Sequence, residues 1–163
     1  MRVRTLLSEQ MVCRPVEDVF AFFSDVNNLD LLTPPWLHFR ILTPGVPMRQ
    51  GAVIGYRLRW RGVPLSWRTE ISAWEAPFRF VDRALESPYL HWQHEHVFER
   101  VGGETRMTDR VGYAVPGGPL EPAITRLIVE PDLARIFAYR ERKMRQLFGT
   151  PARPARPSHG AVT

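Results

Sequence analysis

Residues 89–115 constrain the fold more than any other stretch of the chain. Val101-Gly102-Gly103-Glu104 separates two alternating runs. Two glycines at the central positions suit a two-residue hairpin loop, because both accept positive φ. Such a turn sets the register: facing residues have numbers that sum to 205. Phe98 then faces Met107, His96 faces Asp109, His94 faces Val111 and Trp92 faces Tyr113. On the opposite face Glu99 meets Arg106 and Glu95 meets Arg110. Apolar residues pair with apolar ones and acids with bases, as a stable antiparallel pair requires. One face is apolar but carries His94, His96 and Asp109 in its middle. Such groups need partners or a ligand, since an unpaired buried polar group costs roughly 1–3 kcal/mol.

The same parity rule extends the sheet. If the strand containing Asp82 pairs with the His94 strand across a Ser87-Pro88-Tyr89 loop, inner residues face inner residues when their numbers sum to 176. Ala84 then faces Trp92, Asp82 faces His94 and Phe80 faces His96. Two acid–imidazole pairs, Asp82–His94 and His96–Asp109, would sit in an aromatic wall.

The remaining elements group around this hairpin. Residues 2–13 read as a first strand. Arg14-Pro15-Val16-Glu17-Asp18 starts a helix with proline and acids in its first turn. Residues 25–32 give a second short helix, and 36–42 a strand that includes His38. Ala52, Ile54, Tyr56, Leu58 and Trp60 share one strand face, with Val53, Arg57 and Arg59 on the other. After a Gly62-Val63-Pro64 turn, Leu65, Trp67, Thr69, Ile71 and Ala73 line the next. Phe78, Phe80, Asp82 and Ala84 form the inner face of another. The last element is helical, with apolar stripes Ile124-Leu127-Ile128 and Leu133-Ile136-Phe137-Met144-Leu147-Phe148. Pro131 between them should kink or restart it. Arg135, Arg140, Arg142, Lys143 and Arg145 decorate this helix as a solvated basic face.

Strand, two short helices, six strands and a long amphipathic helix make an α+β protein with an antiparallel sheet whose apolar face the last helix must cover. A curved seven-stranded sheet closes incompletely on one helix, so a cavity is expected between them. Residues 1–149 are expected to form this one domain, and the Pro-, Ala- and Arg-rich residues 150–163 a disordered tail.

The net charge is +5, carried mostly by arginines spread along the chain rather than clustered, so nucleic acid is not an expected partner. The lone Cys13 excludes an internal disulfide and fits a reducing cytoplasm. No run has the length of a membrane span, and no stable membrane insertion is expected. The glycine pairs match no phosphate-binding loop, and no nucleophile elbow is present.

The sequence resembles the START-like, polyketide-cyclase-like (SRPBCC) superfamily, whose architecture is the helix-grip fold, and within it a bacterial ligand-binding branch. The likeness is carried by Pro15-Val16-Glu17-Asp18-Val19-Phe20, Thr33-Pro34-Pro35 and Ile54-Gly55-Tyr56. It continues through Trp67-Arg68-Thr69-Glu70-Ile71, Phe80-Val81-Asp82, Trp92-Gln93-His94-Glu95-His96-Val97-Phe98 and Thr108-Asp109-Arg110-Val111. Some members are fused to sugar-nucleotide-epimerase-like domains. The resemblance implies a curved seven-stranded antiparallel sheet wrapped around a long C-terminal helix, with two short helices between the first two strands. It also implies a small hydrophobic or amphipathic ligand, such as a lipid, polyketide or isoprenoid-like molecule.

The expected ligand-binding residues are Tyr56, Trp67, Phe80, Asp82, Trp92, His94, His96, Asp109 and Tyr113. Three roles are open for the polar cluster: register-fixing buried hydrogen bonds, orientation of a ligand's polar end, or acid–base chemistry. In the last case His94, His96, Asp109 and Asp82 would be the catalytic groups of a cofactor-free cyclase, dehydratase or hydrolase. His94-x-His96 also has the spacing of strand metal sites, with Asp82 or Asp109 as a third ligand. No cysteine supports that use, so no metal and no cofactor are expected. A third class of function is an interaction protein acting through the basic C-terminal helix.

Overall fold

The computed structural model describes residues 1–149, so the tail expected at 150–163 lies outside the described residues. Seven antiparallel strands form one sheet in the order β1-β7-β6-β5-β4-β3-β2. They are β1 Arg4–Val12, β2 Arg40–Ile41, β3 Val53–Trp60, β4 Val63–Glu75, β5 Arg79–Glu86, β6 His91–Val101 and β7 Glu104–Ala114. Helices α1 (Val16–Phe23) and α2 (Leu29–Leu32) lie between β1 and β2. A short α3 (Glu121–Ile124) and the long α4 (Glu130–Phe148) follow β7. This is the helix-grip α+β architecture.

The two inferred registers hold. His96 pairs with Asp109, His94 with Val111, Phe98 with Met107 and Trp92 with Tyr113. Across β5 and β6, Phe80 pairs with His96 and Asp82 with His94. That ladder ends at Arg83–Gln93, one step before the expected Ala84–Trp92 pair.

Local departures have local causes. Residues 36–42 are not a continuous strand: Pro35–Leu37 makes a 3₁₀ turn that ends on His38 at φ 45°, and only Arg40–Ile41 pairs. The turn between β3 and β4 is Arg61-Gly62, both at positive φ, while Val63 and Pro64 already belong to β4. This two-residue geometry matches the twist of the flanking strands. In β4 the extra residue Ser72 forms a bulge that reverses which side chains face inward. Ala73 leaves the inner face, and Trp74 packs against Phe20 at 4.9 Å and Phe80 at 5.6 Å. Phe78 precedes β5 in the turn and is exposed.

Pro131 sits in the first turn of α4. It removes one helical N–H and crowds the preceding turn. The chain accommodates it with a wider π turn over Thr125–Val129, and the helix then restarts. That turn also shifts the helical phase, so Thr125 and Val129 are buried while Leu127 is exposed. Leu147 is likewise exposed, and its neighbour Phe148 packs on Phe22 at 5.2 Å instead.

Two hydrophobic clusters result. One joins α1 to Ile54, Ile71, Phe80, Phe98, Met107 and Met144. The other joins Val111, Tyr113 and Val115 to Val129, Leu133 and Phe137.

Candidate functional site

Residues of both clusters line a cavity of ≈440 Å³ between the sheet and α4. This volume lies in the roughly 300–1,000 Å³ range of small-molecule sites. β3 and β4 supply Tyr56, Leu58, Trp67 and Ile71, and α4 supplies Leu133, Ile136 and Phe137. Tyr56 stacks on Trp67 with ring planes 13° apart, and Trp92 meets Trp67 edge-on at 5.2 Å. At one end, Trp60 Nε1 donates to Asp132 Oδ2 at 2.7 Å, and Arg61 donates to the same carboxylate. These bonds tie the β3–β4 hairpin to the start of α4.

In the middle of the wall, period-two alternation on β6 puts His94 and His96 on one face, flanked by Asp82 of β5 and Asp109 of β7. The hydrogen bonds run diagonally rather than straight across. His94 Nε2 lies 2.7 Å from Asp109 Oδ1, and His96 Nε2 lies 3.0 Å from Asp82 Oδ2. This corrects the expected Asp82–His94 bond, although the strand pairing is as expected. The expected His96–Asp109 pair is present, with His96 Nδ1 2.9 Å from Asp109 Oδ1. That approach is off the N–H axis, so Nδ1 has no directed hydrogen bond among the described residues. His94 Nδ1 is 3.9 Å from Asp82 Oδ2.

The fourth charge was missed in the sequence. Arg140 does not belong to a solvated face. Its side chain is only 15% exposed, lines the cavity and lies 3.9 Å from Asp109 Oδ1. Its guanidinium sits 5.6 Å from the Phe137 ring centre. The signal was its spacing: Leu133, Phe137, Arg140 and Met144 follow one helical stripe. Other basic residues of α4 are engaged elsewhere, Arg135 over Trp36 and Arg145 with Glu141.

Burial pushes both aspartate carboxyls up, but imidazole hydrogen bonds and the charges of the histidines and Arg140 outweigh it. Asp82 ends below its ordinary value and Asp109 well below. Desolvation and the neighbouring His96 hold His94 down. Desolvation also opposes charge on His96, but two flanking carboxylates overcome it and raise its pKa. The assembly with His94 neutral and His96 protonated therefore balances two carboxylates against an imidazolium and a guanidinium, the condition for burying charge at tolerable cost.

Of the expected ligand-binding residues, Tyr56, Trp67, Phe80, Asp82, Trp92, His94 and His96 line the cavity. Asp109 and Tyr113 do not. Asp109 lies behind the histidines, and Tyr113 packs in the second cluster, 6.2 Å from Tyr89. Trp67 is buried, and its Nε1 has no hydrogen-bond partner among the described residues. Asp82, His94 and His96 each offer a donor atom within 4.8 Å of the others, the one such group among the described residues.

A family model described as polyketide cyclase / dehydrase and lipid transport matches residues 12–137. This chain belongs to that family. Members of the polyketide cyclase / dehydrase and lipid transport family share the architecture with several solved structures. The Zhui aromatase/cyclase from Streptomyces sp. R1128 superposes with a TM-score of 0.70 at 18% identity, covering 90% of this chain and 96% of its own. Ginseng major latex-like protein 151 from Panax ginseng gives 0.65 at 11% identity, covering 90% and 97%. A nucleoside-diphosphate sugar epimerase from Corynebacterium glutamicum gives 0.60 at 22% identity over 86% of this chain but 28% of that one. Likenesses at these identities establish the fold alone. No curated protein sequence matches the chain. No helix among the described residues is long and apolar enough to cross a membrane.

Proposed function

We propose that this protein binds a small hydrophobic or amphipathic molecule, of lipid, polyketide or isoprenoid-like character, inside its cavity. The observation that carries this reading is the ≈440 Å³ void walled by Tyr56, Trp67, Phe80, Trp92 and Phe137, with one polar patch. A molecule that fills it removes apolar wall from water at roughly 25 cal/mol per Å². Asp82, His94 and His96 would take its polar end, and the Trp67 N–H, without a partner among the described residues, would donate to an acceptor on its body. The family description, which includes lipid transport, supports the reading.

Native mass spectrometry of protein purified without denaturation tests it, together with titration of an apolar fluorescent probe. A stoichiometric small-molecule adduct, and a probe displaced by it, are the expected results. Saturable probe binding that is unchanged when Leu58→Trp fills the cavity would sink the proposal.

A second reading is a cofactor-free cyclase or dehydratase. The His94–Asp109 bond favours it: an imidazole kept neutral by burial, with one nitrogen held by a carboxylate, is a competent base. His94→Ala and His96→Ala would then bind normally and turn over slowly. Under the binding reading they weaken binding.

A further inference from the structure

We propose that Asp82, His94 and His96 form a site for one divalent transition-metal ion, with Asp109 orienting both imidazoles and the cavity supplying the open coordination position. The proposal rests on the cavity reading only for what would occupy that open position.

Convergence is the first argument. Asp82 Oδ2 lies 3.0 Å from His96 Nε2 and 3.9 Å from His94 Nδ1. A tetrahedral ion with ligands at about 2.1 Å needs donor atoms about 3.4 Å apart, so these two spacings straddle the requirement. All three residues stand in mid-sheet, on paired positions of β5 and β6, so the donors are held by backbone hydrogen bonds rather than by loops.

The second argument is what lies behind the donors. The remaining imidazole nitrogens, His94 Nε2 and His96 Nδ1, both approach Asp109 Oδ1, at 2.7 and 2.9 Å. With Asp109 ionised, the proton of His94 sits on Nε2, and the lone pair of Nδ1 is left on the side of Asp82. A carboxylate behind a ligating histidine fixes tautomer and ring orientation in metal sites. Arg140, 3.9 Å from Asp109, offsets the charge of this second carboxylate.

The third argument is the misaligned His96. Its Nδ1 is buried, close to a carboxylate and without a directed bond among the described residues. In the metal-free arrangement its Nε2–H is committed to Asp82. An ion replacing that proton would release the ring from Asp82 and let Nδ1–H turn onto Asp109. The surrounding wall is aromatic: Phe80 stacks on His96 at 4.1 Å, and Phe23 and Phe137 lie against the two imidazoles. Two imidazoles and one carboxylate suit zinc, iron(II), cobalt or nickel better than magnesium or calcium. The open position would take an oxygen donor such as an enolate, phenolate or carboxylate on the cavity ligand.

The test uses protein dialysed against a chelator, titrated with Zn²⁺ by calorimetry and with Co²⁺ by visible absorption. One ion per chain is expected, with Co²⁺ ligand-field bands of a low-coordinate nitrogen–oxygen site in the unmutated protein. His94→Gln/His96→Gln should abolish binding, Asp109→Asn should weaken it about 10–100-fold, and His38→Gln on the surface should leave it unchanged. Circular dichroism confirms that each variant is folded. No stoichiometric binding by the unmutated protein, or binding retained in the double variant, overturns the proposal. The apolar fluorescent probe, titrated into the same metal-free protein, separates the two ideas. Probe binding without metal binding refutes the metal site alone, and metal binding without probe binding refutes the cavity reading alone.

Discussion

Asp109→Asn should destabilise the metal-free protein, and by an amount that grows as pH falls. Asp109 Oδ1 serves two imidazoles and faces Arg140, all of them largely buried. Asparagine keeps the shape and can still accept from His94 Nε2, but it removes one negative charge from a balanced set. Arg140 and a protonated His96 then face Asp82 alone. Leaving a buried charge uncompensated costs about 3–5 kcal/mol. The protein can relieve part of this by releasing the His96 proton. The sign follows from linkage. In the unmutated protein the His96 pKa is raised above its ordinary 6.5. Its stabilisation is therefore fully present below 6.5 and lost as pH rises through the folded value. In the variant one of the two carboxylates that raise it is gone, so the folded pKa falls. Each unit of that fall adds about 1.4 kcal/mol to the cost at low pH. We expect a loss of about 1–2 kcal/mol near pH 8, from the weakened charged hydrogen bonds, and of about 3 kcal/mol or more near pH 5.5. Urea unfolding at both pH values measures it. An equal loss at both, or a loss confined to high pH, would refute the charge-balance reasoning.

The unmutated, metal-free protein should itself be most stable near pH 6.5: above it the stabilisation from the raised His96 is lost, below it the unfolded chain takes up a proton that the depressed His94 refuses, and stronger acid then reaches the depressed Asp82 and Asp109; a flat urea midpoint from pH 5 to 9 would contradict this. Phe80→Ala should cost about 3–5 kcal/mol, because Phe80 is buried, stacks on His96 and packs against Phe20, Trp74 and Phe98; thermal unfolding measures it. Trp67→Phe should leave stability within about 1 kcal/mol, since it removes an N–H that has no partner among the described residues, yet weaken a cavity ligand that carries an acceptor. Gly117→Ala should destabilise the entry to α3, where a Cβ would lie 2.7 Å from Ile124 Cδ1 and φ is 142°; a melting temperature equal to the parent's would show that Ile124 yields freely.

The sheet was legible because its constraints were local and redundant. Gly102-Gly103 set one register, charge pairing on the outer face checked it, and parity carried it to Asp82 and Phe80. The misread elements lack that redundancy. The Ser72 bulge moves Ala73 out and Trp74 in, yet nothing in the alternation of 63–75 marks where one extra residue enters. The π turn before Pro131 has the same effect on the helix, rotating Leu127 outward by a phase change that a constant 3.6 period does not contain. Strand pairing likewise could not choose between straight and diagonal hydrogen bonds in the cluster. Facing residues bring four side chains together, but χ angles and the common acceptor Asp109 Oδ1 decide which atoms meet.

Arg140 shows why a hollow domain defeats the usual reading of a helix. An arginine among Arg135, Arg142 and Arg145 is assigned to solvent because burying a guanidinium in a filled core is prohibitive. That assignment presumes that the covered face of α4 meets apolar side chains. Here α4 covers a row of polar groups that already contains two carboxylates and needs positive charge, and the void beside it gives a long side chain room. The sequence contains both halves of this balance, Asp82 and Asp109 on an otherwise apolar sheet face and Arg140 on the stripe of Leu133, Phe137 and Met144. Each looks like an error when taken alone. Their charges close only when the sheet face and the helix stripe are set against each other. In a fold with one helix gripped by one sheet, a lone cation on the apolar stripe and an excess of acid on the sheet face therefore locate the polar pole of the cavity.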